Sequence, residues 1–142
     1  GNNRILFEQE IKKIYNNYLI IRLPVVYGNF LKKNLIYDII NQNNVNEINK
    51  NDILQFYPVR HLFADIKKIK KQKNINLVNL ASEPILISEL MSYCKIQNNN
   101  NKRKNRSYNM KSVFAKIFNK SNYRFSKNYI KYLKYFRLIH FL

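Results

Sequence analysis

The residues best placed to do chemistry are cationic. Lys and Arg number 26 against 8 Asp and Glu in 142 residues, a net charge of +18. Lys120, Arg124, Lys127, Lys131 and Lys134 recur at the spacing of one helix face, and aromatic and aliphatic residues from Tyr129 to Ile139 fill most of the rest. Three arrangements fit this stripe. It can pack on protein while Lys127, Lys131 and Lys134 touch RNA phosphates, lie on an anionic membrane, or bury itself against its own domain with a lysine rim. Lys102, Arg103, Lys104 and Arg106 sit in an Asn-rich stretch suited to phosphate contact rather than base reading, or to a solvated loop. Lys32, Lys33 and Asn34 open a predicted helix, where backbone N–H groups and the dipole favour an anion such as a phosphate; a solvated helix end is the alternative. Arg60 is either a second phosphate contact or a surface cation.

Other chemistries find little material. Glu8 and Glu10 are two apart and do not share a helix face, so they make no hydrolase pair. His61 has no carboxylate or nucleophile beside it in sequence and reads as structural or exposed. With two His and one Cys, Cys94, neither a metal site nor an intramolecular disulfide is expected. No apolar run approaches the roughly 20 residues that span a bilayer. No signal-peptide pattern precedes the first element, and Gly1 is expected to follow residues further upstream. The expected location is intracellular, in cytoplasm or an organellar matrix.

The elements that must position these residues follow from periodicity. Phe7, Ile11, Ile14 and Tyr18 recur at helical spacing, predicting a helix over 4–17. The run 18–23 (YLIIRL), closed by Pro24, suits a buried strand. A helix is predicted over 30–41, a polar connection over 41–52, a strand over 53–57 and a helix over 59–71. Residues 75–80 read as a strand, and Ser88 as the N-cap of a short helix through Leu90 and Met91. Residues 97–107 contain no apolar side chain and read as an exposed flexible loop. A further element is expected over 110–118, and a last helix from about Ser126. Strands alternating with helices indicate α/β architecture. The expected organisation is a partial Rossmann-like and substrate-binding region over 1–96, the basic loop over 97–107, and a basic, aromatic C-terminal element over 108–142.

Charge divides the chain the same way. Residues 1–89 hold 13 basic and 8 acidic residues, a net of +5; residues 90–142 hold 13 basic residues and no acid. Such a half binds polyanions without reading sequence, unless lysine-biased codon usage alone accounts for it.

An ordered set of short segments carries a family resemblance. Arg22-Leu23-Pro24-Val25-Val26-Tyr27-Gly28 resembles the R-x-P-x-V-Y-G stretch of extended short-chain dehydrogenases, the NAD-dependent epimerase/dehydratase family. Leu31 to Asp38 is similar to the helix entering their substrate domain. Leu54 to Pro58 and Leu62 to Ile66 are similar to a later strand and helix. Asn79-Leu80-Ala81-Ser82-Glu83-Pro84 and Asn109 to Ser112 resemble segments of a sugar-nucleotide reductase branch. The resemblance implies the C-terminal part of a Rossmann-like fold with its small substrate domain, and hydride transfer between nicotinamide and a sugar carbon in the intact protein. It places Leu23, Pro24 and Val26 beside NAD(P), though an ordinary buried strand with a proline stop also fits them. It places Lys32, Lys33, Asn34 and Arg60 near a sugar nucleotide.

The family's glycine loop for the pyrophosphate is not found here, since Gly1 and Gly28 are the only glycines. Arg4 stands where the family's catalytic Lys of Tyr-x-x-x-Lys is expected, and guanidinium geometry differs from that of an ammonium. The first expectation is therefore the C-terminal portion of an NAD(P)-dependent epimerase, dehydratase or reductase. It would be inactive and without cofactor alone, and completed by an N-terminal dinucleotide-binding half. The alternative is a degenerate dehydrogenase-like subunit contacting RNA or acidic partners in a large assembly, such as an organellar ribosome.

Overall fold

The computed structural model describes residues 2–29, 31, 33–80, 82–97 and 104–114. Helix α1 (Asn2–Ile14) leads into strand β1 (Ile20–Arg22). Pro24 has no N–H for a ladder, and there the chain leaves one strand partner and takes another. Strand β2 (Val25–Tyr27) follows at once, so the single strand expected over 18–23 is the first of two.

Helix α2 (Leu35–Asn41) begins later than the predicted 30–41. Lys33 is held at φ 63, outside helical space, and the Asn34 side chain caps the helix by accepting a 2.9 Å hydrogen bond from the Tyr37 N–H. A 3-10 turn (Val45–Glu47) lies in the polar connection. The strand expected over 53–57 divides into β3 (Ile53–Leu54) and β4 (Phe56–Pro58) around Gln55. Another 3-10 turn (Val59–His61) and helix α3 (Leu62–Lys70) occupy the predicted 59–71 helix, and β5 (Leu77–Asn79) the predicted 75–80 strand. Then come β6 (Ile85–Leu86) and helix α4 (Ile87–Tyr93).

Ser88 is not the N-cap of α4; Leu86 holds that position. The first free N–H groups of the helix go to backbone instead. Ile87 donates to the Asp52 carbonyl at 2.9 Å and Ser88 to the Lys50 carbonyl at 2.8 Å. The expectation failed because a cap can come from a distant loop.

β1 pairs in parallel with β5, matching Ile20 to Leu77 and Arg22 to Asn79. β2 pairs in parallel with β4, matching Val25 to Phe56 and Tyr27 to Pro58. Parallel pairing requires a crossover, and α2 lies in the one joining β2 to β4. β3 and β6 form an antiparallel pair. Side chains alternate along β4, and the two sides feed different cores. Phe56 joins Tyr27, Ile36, Ile39, Ile87 and Leu90, whereas Tyr57 joins Ile69, Val78 and Leu80.

The apolar stripe of α1 does not face either core. Phe7 and Ile14 are about two-thirds exposed, at 66% and 67%, and Ile5, Leu6 and Tyr15 are exposed beside them. The buried residue of this helix is Glu8. Among the described residues no helix is long and apolar enough to cross a membrane.

Candidate functional site

In α/β folds ligands gather beyond the carboxyl ends of parallel strands. Those ends here are Leu23-Pro24 after β1, Gly28-Asn29 after β2, Val59 to His61 after β4, and Leu80 after β5. Leu23 and Val26 are half-buried and lean on the Tyr57 core, which fixes them as an apolar wall. Pro24 is half-buried between them. Arg60 is exposed just beyond β4, and its Nε donates to the His61 Nε2 at 3.4 Å. Burial, followed by the charge of Arg60, pushes the His61 pKa below its usual 6.5 and favours the neutral ring. Lys33 is exposed, and the Asn34 side-chain oxygen is taken by the cap of α2. Arg4 is exposed in the first turn of α1, one turn from Glu8. Lys32, Lys102, Arg103, Lys127, Lys131 and Lys134 lie outside the described residues.

Three buried carboxylates are engaged. Arg22 at the end of β1 clamps Glu8 of α1, Nε to Oε1 at 2.9 Å and Nη2 to Oε2 at 2.5 Å. That bidentate contact, foremost, holds the Glu8 carboxyl below its ordinary 4.5, with Lys12 and Arg4 adding to it and burial opposing. The Tyr57 hydroxyl donates to Asp65 at 2.5 Å, both residues being fully buried, and Lys68 stands 3.9 Å from the same carboxylate. Asp52 is buried and receives three bonds from Arg106: backbone N–H at 2.8 Å, Nε at 2.8 Å and Nη2 at 2.6 Å. Arg106 is thus a structural tie as well as a surface cation, while Lys104 nearby is exposed.

The Arg106 contact belongs to a longer strap. Arg106 and Tyr108 exchange backbone bonds with Ile53, at 2.8 and 3.0 Å. Buried Gln55 donates to the Ser82 and Met110 carbonyls at 2.6 and 2.9 Å and accepts from the Met110 N–H at 2.6 Å. Asn79 at the end of β5 donates to the Lys111 carbonyl at 3.1 Å. Residues 104–114 therefore lie across β3, Gln55 and the end of β5. Sequence reasoning missed this strap. Its signal was the lone amide in ILQFY, since a buried Gln between apolar residues requires distant partners.

Among the described residues no group of three or more His, Cys, Asp and Glu side chains could hold a metal. A nicotinamide ring would find an apolar edge in Leu23, Pro24 and Val26. The pyrophosphate would not find a glycine-rich cradle in these 142 residues, where Gly28 is the one internal glycine.

No known sequence family matches the chain, and no curated protein does. Solved structures do. The UDP-N-acetylglucosamine 4-epimerase from Bacillus cereus superposes with a TM-score of 0.60 at 14% identity, over 92% of this chain and 48% of that one. A UDP-galactose 4-epimerase gives 0.44 at 13% identity, over 88% and 41%. The chain spans about half the length of the solved structures it matches. The fold is α/β and Rossmann-like, similar to part of that UDP-N-acetylglucosamine 4-epimerase.

Proposed function

We propose that the chain is the substrate-facing, C-terminal portion of an NAD(P)-dependent sugar-nucleotide epimerase, dehydratase or reductase, completed by a dinucleotide-binding half. The observation that carries this is the superposition of nearly the whole chain on one half of an epimerase. The exposed apolar side chains of α1 support it, because a finished domain rarely leaves four large apolar residues of one short helix, Ile5, Leu6, Phe7 and Ile14, in water.

When bound, the nicotinamide supplies hydride transfer. This chain's share is to hold and orient. Leu23, Pro24 and Val26 wall the ring and exclude water from one side. Lys32, Lys33 and Arg60 offer positive charge to a diphosphate, and Asn34 fixes the start of α2 directly after Lys33. With Arg4 at the position where the resemblance expects the family's Lys, proton transfer is assigned to the other half.

Calorimetry and saturation-transfer NMR on the full chain test the division. Weak, saturable contact with a UDP-sugar is expected, reduced several-fold by Lys33→Ala with Arg60→Ala, and no heat with NADH or NADPH. Micromolar NAD(P) binding would overturn the assignment of the cofactor to the other half. Absence of any UDP-sugar contact would overturn the substrate class.

A further inference from the structure

One surface lies outside that reading. Helix α3 turns Asp65, Ile69 and the half-buried Leu62 and Ile66 inward. Its other side carries no acid and leads into a run of lysines. Lys67, Lys68, Lys70, Lys71 and Lys73, five lysines in seven residues, are all exposed. One turn before them stands Phe63, 69% exposed, with the Lys67 ammonium 4.4 Å from its ring centroid. The acid of this segment, Asp65, is on the inward side and bonded to Tyr57. Lysines near a helix C-terminus complement the dipole, which accounts for one or two of them. It accounts neither for Lys73 beyond the helix nor for an aromatic ring left in water.

We propose that this face binds single-stranded nucleic acid, with Lys67, Lys70, Lys71 and Lys73 on successive phosphates and a base stacked on Phe63. The cations are strung along more than one helical turn of about 5.4 Å rather than converging on a point, which suits a polyanion and not a single anion. A flat exposed ring among them gives any base a stacking platform, and Lys67 fixes its orientation from one side. An anionic membrane is the poorer fit, because the apolar side of α3 is already turned into the core and Phe63 alone would enter the lipid. Sequence preference is not expected, since nothing on this face presents paired donors and acceptors to base edges.

The test is fluorescence anisotropy of a labelled single-stranded oligouridine with the full chain, between 50 and 200 mM salt. Reversal of Lys67, Lys70 and Lys71 to Glu is compared with an equal charge change elsewhere, Lys12, Lys13 and Lys95 to Glu. The α3 variant should bind at least tenfold more weakly, with a salt slope shallower by roughly 2, at about 0.7 per phosphate lost. The control should keep the slope. Phe63→Ala should weaken binding roughly tenfold with the slope unchanged, as stacking carries no counterions. The unsubstituted chain gives a further readout: bound RNA should protect Lys67, Lys70, Lys71 and Lys73 from acetylation, read by mass spectrometry. Equal losses in the two triple variants, absence of protection, or binding to phosphatidylserine vesicles without RNA binding would each overturn the proposal. None of these outcomes depends on the sugar-nucleotide reading.

Discussion

Arg106 shows how one side chain's role depends on what lies across from it. In sequence it belongs to a basic run; in the fold its guanidinium and backbone N–H converge on buried Asp52. Removing an ion-pair partner costs more than the pair is worth, because the remaining buried charge is stranded. Arg106 is itself 57% exposed, so water screens part of that loss. Arg106→Ala should destabilise the chain by roughly 2 kcal/mol, and Asp52→Asn by less, measured by urea unfolding. Equal stability of Arg106→Ala and the unsubstituted chain would show that the strap contributes nothing. Tyr57→Phe makes a parallel case inside the second core. It leaves the Asp65 carboxylate without its 2.5 Å donor at no change of shape, and about 1–3 kcal/mol should be lost.

At the scale of elements, α1 makes the sharpest contrast with its sequence. The periodicity of Phe7, Ile11 and Ile14 correctly indicates a helix, but an apolar stripe does not say which chain will cover it. Here Glu8 turns inward to Arg22 and the stripe stays in water. Replacing Phe7 and Ile14 by Gln should therefore leave the melting temperature of this chain within about 2 °C, as exposed substitutions generally cost under 0.5 kcal/mol, and should reduce its association with a dinucleotide-binding half. A large stability loss would mean that the face is covered within the chain. Helices and strands up to 93 were legible because apolar spacing and Pro24 speak locally. The strap was not, since its bonds to Asp52, Gln55 and Asn79 join residues 32 to 55 positions apart, and a run such as NRSYN carries no local sign that Asp52 awaits it. The split of one expected strand into β1 and β2 was half legible: Pro24 announced a stop but not the change of partner that follows it. Of the candidate site, the end of the first strand at Pro24 was readable from the sequence, while a part for Leu23, Pro24 and Val26 beside a cofactor rests on resemblance alone. The ion pairs of Asp52 and Glu8 needed the tertiary fold, whereas the Asn34 cap is a local contact three residues long.

For the whole molecule the dominant quantity is charge, and its consequence is a weakness to acid. Each of two groups adds to it with a definite sign. The Glu8 carboxyl is held below 4.5 by Arg22, so the stability it supplies is complete above that value and is lost as pH falls through its lower folded pKa. His61 is pushed below 6.5 by burial and by Arg60, so from about 6.5 downward the unfolded chain takes up a proton that the native ring resists, and stability again falls. Meanwhile every carboxylate protonated raises a net charge that is already +18, and repulsion among cations grows as the acids that offset it disappear. All three effects point the same way. The thermal unfolding midpoint should therefore decline from pH 7 to pH 4 in two limbs, a shallow one near 6.5 and a steeper one below 4.5. Glu8→Gln should shrink the lower limb and spare the upper; His61→Asn should do the reverse. Added salt at about 0.5 M should recover the share due to general repulsion, which acts over distances longer than the shortened screening length, and little of the share due to the close Glu8–Arg22 contact. A midpoint that stays level across this range, or that salt restores fully at pH 4, would mean that neither paired group is anchored in the native state as the geometry places it.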